Sequence, residues 1–318
     1  MPGLTVIILT YNEAVHIRRC LESALSVASE VIVVDSSSND GTQKIARQAG
    51  VRVLHHEWVN YAYQLNWAIE NGGISTEWVM RLDADEYLDE RLAQDIRRNI
   101  AMAPDDVTGF EVKRQVIFQD KRIRFGGGVS PGRVLRLWRR GKACCEQRWM
   151  DEHMILLEGY SRLLGGVLYD HSLKTLTWWI EKHNRYANRE AVDLLNKKYR
   201  FLPDERVPEG LTRTAKIKRL IKNGIYRRTP RGLRAVLYFI YRVVFRLGIL
   251  DGSRGMSFHF LQGLWYRLTV DMKVTETERY MRIQKVDVTT AIREILDINV
   301  GGEPGAVDAP FGHQTERG

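Results

Sequence analysis

Two aspartates stand two positions apart in Asp83-Ala84-Asp85, directly after the predicted strand Trp78–Leu82. Carboxylates with this spacing at the end of a strand can direct oxygen atoms into one cleft. Mg²⁺ and Mn²⁺ prefer oxygen ligands, and Mg²⁺ completes its coordination with phosphate and water. The pair therefore suggests a divalent metal ion bound together with a phosphate group, while an ordinary acidic loop is the simpler interpretation.

Two further polar segments also follow apolar runs. Thr10–Glu13 follows the run Leu4–Leu9, and Asp35–Thr42 follows the run Val31–Val34. Both segments are rich in residues that cap helices and form turns. A capping role and a ligand-binding role are compatible with each other here.

Strands and helices alternate over the first hundred residues. The predicted strands are Leu4–Leu9, Val31–Val34, Val51–Leu54 and Trp78–Leu82, and the predicted helices are Glu13–Leu25, Thr42–Ala49, Tyr61–Glu70 and Asp89–Met102. This order predicts an α/β fold with a mainly parallel sheet and helices on both faces. Ligands of such sheets bind beyond the carboxyl ends of the strands, where the three polar segments fall.

The pattern changes after Pro104. Antiparallel strands are predicted at Gly109–Phe118 and Lys121–Phe125, a further strand at Arg133–Trp138 and a long helix at Leu173–Tyr199. We expect a catalytic domain over residues 1–200, a basic amphipathic helical region over 201–298 and a disordered tail over 299–318.

Three segments, Val6–Glu13, Val31–Thr42 and Met80–Glu86, resemble the family 2 glycosyltransferases in order and spacing. The segment Gln64–Ala68 between them is also similar to the family, and the resemblance covers about residues 3–200. It implies a GT-A fold and a nucleotide-diphosphate sugar donor, with a UDP-sugar expected first. The closest similarity is to bacterial enzymes that build the lipopolysaccharide core or other envelope polysaccharides.

The resemblance also implies a donor site. Its nucleoside-binding residues are Thr10, Tyr11, Asn12, Glu13 and Asp35, joined by Ser37, Gln64, Asn66, Asp83 and Ala84. Asp85 then coordinates Mg²⁺ or Mn²⁺ between the two phosphates. This assignment agrees with the chemistry, because a departing nucleoside diphosphate develops negative charge that a divalent cation stabilises.

Three further residues in the second half of the resembling region are candidate donor contacts. His171 is placed to bind the metal or the diphosphate, although a lone histidine is more often structural. Arg133 and Arg136 are candidate diphosphate contacts, or surface charges on a strand.

An inverting transfer needs a general base that deprotonates the acceptor hydroxyl. The family keeps an acid beyond the D-x-D at the distance where Trp149–His153 falls, and related envelope enzymes often have His-Glu where this chain has Asp151-Glu152. Glu152 is therefore the expected base and Asp151 the alternative. The simpler interpretation is that these two acids lie in an exposed turn and have no catalytic role.

The net charge of +9 arises from one segment, because eleven basic residues and no acid lie between Arg213 and Leu250. Apolar residues punctuated by arginine at Leu233–Leu250, and the apolar-rich stretch Met256–Met272, favour helices that lie in a membrane interface. An anionic membrane surface is the expected partner. Packing of these helices as a subdomain or in a homo-oligomer is the alternative.

Three cysteines make no disulfide framework, which favours a reducing compartment. We expect a cytoplasmic enzyme on the inner face of the cytoplasmic membrane, acting on a lipid-linked or envelope-glycan acceptor. A metal-dependent nucleotidyltransferase and a basic nucleic-acid-binding protein are the alternatives. The basic segment lacks interleaved stacking residues, and no nucleic-acid partner is expected.

Overall fold

The structure is a computed structural model that describes residues 3–127, 132–146, 153–202 and 230–300. These residues form two compact units, the first running up to Thr175 and the second beginning at Leu176.

The first unit is built on one large sheet flanked by helices. Its strands are β1 (Leu4–Thr10), β2 (Glu30–Asp35), β3 (Arg52–His55), β4 (Trp78–Asp83), β5 (Glu86–Leu88), β6 (Val107–Phe118), β7 (Lys121–Arg122), β8 (Gly132–Arg139), β11 (Tyr160–Leu163) and β12 (Leu168–His171). A separate hairpin is formed by β9 (Ala143–Cys145) and β10 (Met154–Leu156). The helices are α1 (Ala14–Leu25), α2 (Thr42–Gln48), α3 (Tyr61–Asn71) and α4 (Glu90–Met102).

The strand order along the main path is β3-β2-β1-β4-β8-β6-β12-β5. The four strands at its beginning are parallel, and β1 is buried along its whole length. Val6 and Ile8 pack with residues of α1 and α4, whereas Ile7 and Leu9 pack with residues of α3. Both faces are covered, so the predicted α/β fold with a mainly parallel sheet is confirmed.

The second half of the sheet mixes directions. β8 runs antiparallel to both β4 and β6. The predicted hairpin at Gln119-Asp120 forms, with both residues in the left-handed region (φ 47° and 63°), but β7 contains only Lys121 and Arg122. The short strands β5 and β9 to β12 escaped prediction, because three or four residues carry too little alternation.

Strand register gathers the polar segments at one edge of the sheet. Thr10 pairs with Asp35, and Leu9 pairs with Asp83. At the other end of the path β12 runs antiparallel to β5, so that Asp170 pairs with Glu86. The residue after Asp170 is therefore brought to the D-x-D from far along the chain.

The second unit is helical. It contains α5 (Leu176–Tyr199), α6 (Leu233–Ile240), α7 (Gly252–His259), α8 (Tyr266–Gln284) and α9 (Val288–Leu296), with π-helical turns at Tyr241–Phe245 and Phe260–Trp265. Ala187 of α5 packs against Tyr266 and Val270 of α8, and Asn188 donates to the carbonyl of Leu296. Helix α5 therefore belongs with the C-terminal helices, whereas the sequence-based boundary lies at its end, at residue 200.

Large apolar side chains are exposed on this second unit. Those of the stretch from α6 to α7 are Leu233, Val236, Leu237, Ile240, Tyr241, Val244, Phe245, Leu247, Ile249 and Leu250. None of the helices in the described ranges combines the length and hydropathy needed to span a bilayer. The apolar residues therefore form a surface on short helices.

The expected basic stripe is weaker than the sequence suggested. Arg231 is paired with Glu278 at 2.7 Å, Arg234 is paired with Asp271, and Arg242 is buried. Arg246 is exposed. The other basic residues of the segment, from Arg213 to Arg228, lie outside the described residues, as does the expected tail from residue 301 on.

Candidate active site

The loops after β1 and β2 are tied together by side-chain hydrogen bonds. The amides of Asn12, Glu13 and Ala14 donate to Ser38 Oγ (2.8 Å), Thr42 Oγ1 (2.8 Å) and Asp40 Oδ2 (2.9 Å). The side chain of Asn12, whose φ is 53°, accepts from the amide of Asn39 at 2.9 Å. The first two polar segments thus form one rim at the end of the parallel strands.

Asp35 lies buried beneath this rim. Its carboxylate accepts hydrogen bonds from Thr10 Oγ1 (2.8 Å), from the amide and hydroxyl of Ser38 (2.9 and 2.6 Å) and from Gln43 Nε2 (2.6 Å). Ser37, beside it, has a φ of 65° and contacts His55 Nε2 at 2.9 Å. Asp35 and Thr10 therefore hold the rim in shape, and their contact with a nucleoside stays a prediction.

Glu13 has a fixed orientation. Its carboxylate accepts from His16 Nδ1 at 2.5 Å and from Lys174 Nζ at 2.8 Å. His16 Nε2 accepts the amide hydrogen of Leu173 at 2.7 Å, so the ring proton resides on Nδ1. Burial raises the pKa of Glu13, but these two partners outweigh burial and leave that pKa below its usual value. Glu13 is thus a half-buried, ionised anchor between α1 and the segment after β12.

The predicted Gln64 and Asn66 of α3 both contact protein groups. Gln64 is buried and bonds to Ser36 Oγ (2.9 Å) and His56 Nδ1 (2.6 Å). Asn66 exchanges two hydrogen bonds of 2.9 Å with the backbone of Cys145. Gln64 therefore supports the loops after β2 and β3, while Asn66 anchors strand β9.

The first aspartate of the D-x-D belongs to a buried charge network. Asp83 accepts from Arg136 Nη2 at 3.0 Å, from Arg81 Nε at 3.3 Å and from the hydroxyl of Tyr61. The same Arg136 nitrogen donates to Glu86 at 2.5 Å, and Glu86 accepts the amide hydrogen of Asp83 at 3.0 Å. Arg136, considered in the sequence as a diphosphate contact, is therefore committed to these two carboxylates.

Asp83 and Glu86 share the guanidinium of Arg136, but their pKa values are shifted in opposite directions. Burial raises the pKa of Asp83, but Arg136 and Arg81 outweigh it and hold that pKa well below its usual range. Burial, which Arg136 only partly offsets, raises the pKa of Glu86 to about 8. Glu86 was missed by the sequence analysis, although its position directly after the D-x-D was visible.

The raised pKa of Glu86 predicts a pH-dependent stability. The folded protein keeps a proton that the unfolded chain releases near pH 4.5, so the free energy of unfolding should fall as pH rises from about 4.5 to about 8. Glu86→Gln, which is neutral throughout, should flatten this decline. Urea unfolding of both proteins at pH 5.5 and 7.5, with the exposed Glu90→Gln as control, measures it. Equal slopes in wild type and Glu86→Gln would contradict the assignment.

The second aspartate lies beside His171. The amide of His171 donates to the carbonyl of Asp85 at 3.1 Å. Arg19 of α1 fastens both residues, donating to the carbonyls of His171 (2.7 Å) and Asp85 (3.3 Å) and to His171 Nδ1 (3.1 Å). Burial and Arg19 lower the pKa of His171, so its ring is neutral near pH 7.

Asp85 and His171 together offer few ligand atoms to a divalent cation. An arginine only donates hydrogen bonds, so Nδ1 of the neutral His171 ring is the acceptor and Nε2 carries the proton. That N–H points toward Asp120, whose carboxylate lies 3.4 Å away, and it is suited to a phosphate oxygen. Within the described ranges no three His, Cys, Asp or Glu side chains form a metal cluster. Asp85 with phosphate and water therefore matches the donor set of Mg²⁺ or Mn²⁺, while ligation by His171 requires Arg19 to release it.

The remaining predicted residues differ in accessibility. The Ala84 side chain is buried in the apolar cluster beneath the sheet edge, and Arg133 is exposed at the start of β8. Tyr11 lies half-buried in the rim. The candidate bases Asp151 and Glu152 lie outside the described residues.

Comparison with known proteins identifies the fold and the chemistry class. The family described as Glycosyl transferase family 2 matches residues 5–130. The lipopolysaccharide core biosynthesis glycosyltransferase LpsC of Rhizobium meliloti is 30% identical over 200 residues, which span 59% of this chain and 70% of that protein. The chain belongs to glycosyltransferase family 2. This membership confirms the expected resemblance and decides against the nucleotidyltransferase and nucleic-acid-binding alternatives.

Other glycosyltransferases are also similar. An uncharacterized glycosyltransferase of Rickettsia typhi is 26% identical over 211 residues, covering 63% of this chain and 71% of that protein. A solved mannosyltransferase of Pyrobaculum calidifontis, in complex with GDP-Man and Mn²⁺, is 15% identical with a TM-score of 0.48 over 86% of this chain and 87% of that one. Glucosyl-3-phosphoglycerate synthase of Mycobacterium tuberculosis is 20% identical with a TM-score of 0.30, and the match covers 36% of this chain and 44% of that one.

Proposed function

We propose that this glycosyltransferase moves a sugar, with inversion, from a nucleotide-diphosphate sugar to a lipid-linked or envelope-glycan acceptor. A UDP-sugar is the first candidate donor, and lipopolysaccharide core assembly is the first candidate process, as in the name of LpsC. The observation that carries the proposal is the edge of the sheet. There the parallel neighbours β1 and β4 end at Thr10 and Asp83. The Thr10–Glu13 rim begins at the first of these ends, and Asp85 lies two residues beyond the second.

Each polar residue at this edge has its own role in the proposed reaction. Asp85 would hold Mg²⁺ or Mn²⁺, which when bound stabilises charge on the departing diphosphate. His171 would donate its Nε2 hydrogen to a diphosphate oxygen, and Arg19 orients the ring by occupying Nδ1. Asp83 stays ionised because Arg136 and Arg81 flank it, and it is a candidate acceptor for hydroxyls of the donor. These groups are oriented before substrate arrives, which is how such sites stabilise developing charge.

The proton of the acceptor hydroxyl needs a carboxylate base. We assign this role to Glu152, with Asp151 as the alternative, on the resemblance of their segment to the family pattern. The base takes the proton as the hydroxyl oxygen attacks the anomeric carbon from the side opposite the leaving nucleoside diphosphate.

Calorimetric titration of the purified protein with UDP-sugars and GDP-sugars, each with and without Mn²⁺, tests the proposed function. Saturable binding of one donor that requires the metal supports it. Absence of binding by every donor in the presence of Mn²⁺ would overturn it, and metal-independent binding would remove the assigned metal.

We also propose that the second unit docks on the inner face of the cytoplasmic membrane as a peripheral element. The exposed apolar surface between Leu233 and Leu250 supports this location, since contiguous exposed apolar residues mark interaction surfaces. Arg246 remains exposed in this stretch, and with the basic residues that the sequence carries between Arg213 and Arg228 it would complement anionic lipid. A second copy of the chain is the alternative occupant of this surface.

We expect the protein to pellet with vesicles of anionic lipid and to be released only partly by 1 M salt. Screening shortens the Debye length from about 10 Å at 0.1 M to 3 Å and removes the electrostatic share. The apolar share remains, since each buried large side chain adds about 1.5–3 kcal/mol. Phe245→Ser should weaken binding about tenfold or more. Met102→Ser, an exposed apolar residue of α4, is the matched control. Dimers in solution without vesicle binding would favour the second copy.

A further inference from the structure

Two tyrosines and two arginines form a continuous stack beside Asp85. The Arg19 Cζ lies 4.5 Å from the centre of the Tyr87 ring, and the Tyr87 and Tyr169 rings are stacked with centroids 5.2 Å apart. The Arg122 Cζ lies 4.8 Å from the centre of the Tyr169 ring. The pairing of β12 with β5 places the two tyrosines opposite each other. The order of the stack is therefore Arg19, Tyr87, Tyr169, Arg122.

The arginines at the two ends have different surroundings. The two terminal nitrogens of Arg19 are engaged by the carbonyls of Asp85 and His171 and by the His171 ring. Arg122 is exposed, and it makes no hydrogen bond or ion pair with any residue in the described part of the chain. The Tyr169 ring restrains its guanidinium through a cation–π contact. A restrained guanidinium with available N–H groups is suited to a phosphate group.

Strand register places Arg122 near the reaction site. Ile117 of β6 pairs with Arg122 on β7 and with His171 on β12, so two strand spacings, roughly 10 Å, separate these two backbones. Asp120 at the tip of the hairpin reaches His171 Nε2, as described above. The hairpin therefore borders the Asp85–His171 pair.

The position of the hairpin distinguishes acceptor from donor. The rim assigned to the nucleoside lies at the ends of β1 and β2, whereas β6, β12 and β5 follow β4 and β8 on the other side of the D-x-D. A donor bound at the rim would direct its sugar away from β2. The hairpin lies on that opposite side, where the acceptor must enter.

We propose that Arg122 binds a phosphate group of the acceptor, which makes the acceptor a phosphorylated glycan or lipid-linked sugar. The inference rests on the proposed transferase function and adds the chemical class of its acceptor. The donor's own diphosphate is the other possible source of phosphate at this position, and the variants below separate the two.

The test uses inorganic phosphate as the probe. Phosphate is titrated by calorimetry into two samples of the full-length protein. One sample is free of ligand, and the other is saturated with Mn²⁺ and with the nucleoside diphosphate whose sugar derivative binds in the donor titration. We expect saturable binding by wild type, a loss of at least about tenfold in Arg122→Gln, and less than about twofold change in Lys121→Gln. Lys121→Gln removes the same charge from the adjacent exposed residue. Tyr169→Phe, which keeps the ring, should behave as wild type.

Three results would overturn the inference. They are no saturable phosphate binding by wild type, an equal loss in Lys121→Gln, and a loss of nucleotide-sugar affinity in Arg122→Gln that assigns the phosphate to the donor. Failure of the proposed function is seen separately, as the absence of nucleotide-sugar binding by wild type.

Discussion

Asp85→Ala should abolish sugar transfer and metal-dependent donor binding while the protein stays folded. A cation at the leaving diphosphate supplies several kcal/mol of charge stabilisation. Because each 1.4 kcal/mol is a factor of ten, we expect turnover to fall by at least about 10³-fold. Asp85 is half-buried at the sheet edge and is not one of the two carboxylates that share Arg136, so its removal should leave the buried network intact. Calorimetry with and without Mn²⁺, together with a transfer assay, measures both effects.

Asp105→Ala is the matched control, because Asp105 is an exposed aspartate in the turn before β6. It should retain full activity and the same thermal unfolding midpoint as Asp85→Ala. Undiminished transfer by Asp85→Ala, or wild-type activity that a chelator leaves unchanged, would remove the metal role from this residue.

Glu152→Gln should retain donor affinity and lose turnover by roughly 10²–10⁴-fold, the scale of a positioned general base. Glutamine keeps the size of the side chain and cannot accept the proton of the acceptor hydroxyl. Single-turnover kinetics at saturating donor separate this loss of the chemical step from any change in binding. The donor Kd, measured by the same calorimetry, should change less than about twofold.

Asp151→Asn serves as the comparison for Glu152→Gln, because the two acids are adjacent and the family pattern leaves either as the base. We expect near-normal turnover in Asp151→Asn. A crippled Asp151→Asn beside a near-normal Glu152→Gln would move the base by one residue, and full activity in both would show that another group takes the proton.

The parallel half of the sheet was predictable because its strands are short runs rich in apolar and β-branched residues. β1 is buried on both faces, and Thr5 is its only polar residue before Thr10. The polar residues that follow such runs must then lie at the carboxyl edge, and Thr10, Asp35 and Asp83 do so. Short-range information was sufficient for these positions.

The partners of those residues depended on contacts between distant parts of the chain. Arg136 reaches Asp83 and Glu86 only because β8 runs antiparallel beside β4, and the pairing of β12 with β5 brings His171 to Asp85. Strands of three or four residues have no readable alternation, and no local propensity encodes which strands become neighbours. Sequence spacing alone therefore made Arg136 a candidate diphosphate contact, whereas its burial makes it a partner of carboxylates.

In the basic helical segment, too, some properties follow from the sequence and others depend on packing. Its charge and apolar content are properties of composition, and they predicted an interaction surface directly. Which arginines remain on that surface depended on packing, because Asp271 and Glu278, about 40 residues further along, neutralise Arg234 and Arg231, while Arg242 is enclosed by the rings of Tyr238 and Phe258. An ion pair forms wherever folding brings opposite charges within a few ångströms, so a charge run in the sequence sets only the upper limit of the charge that a folded surface presents.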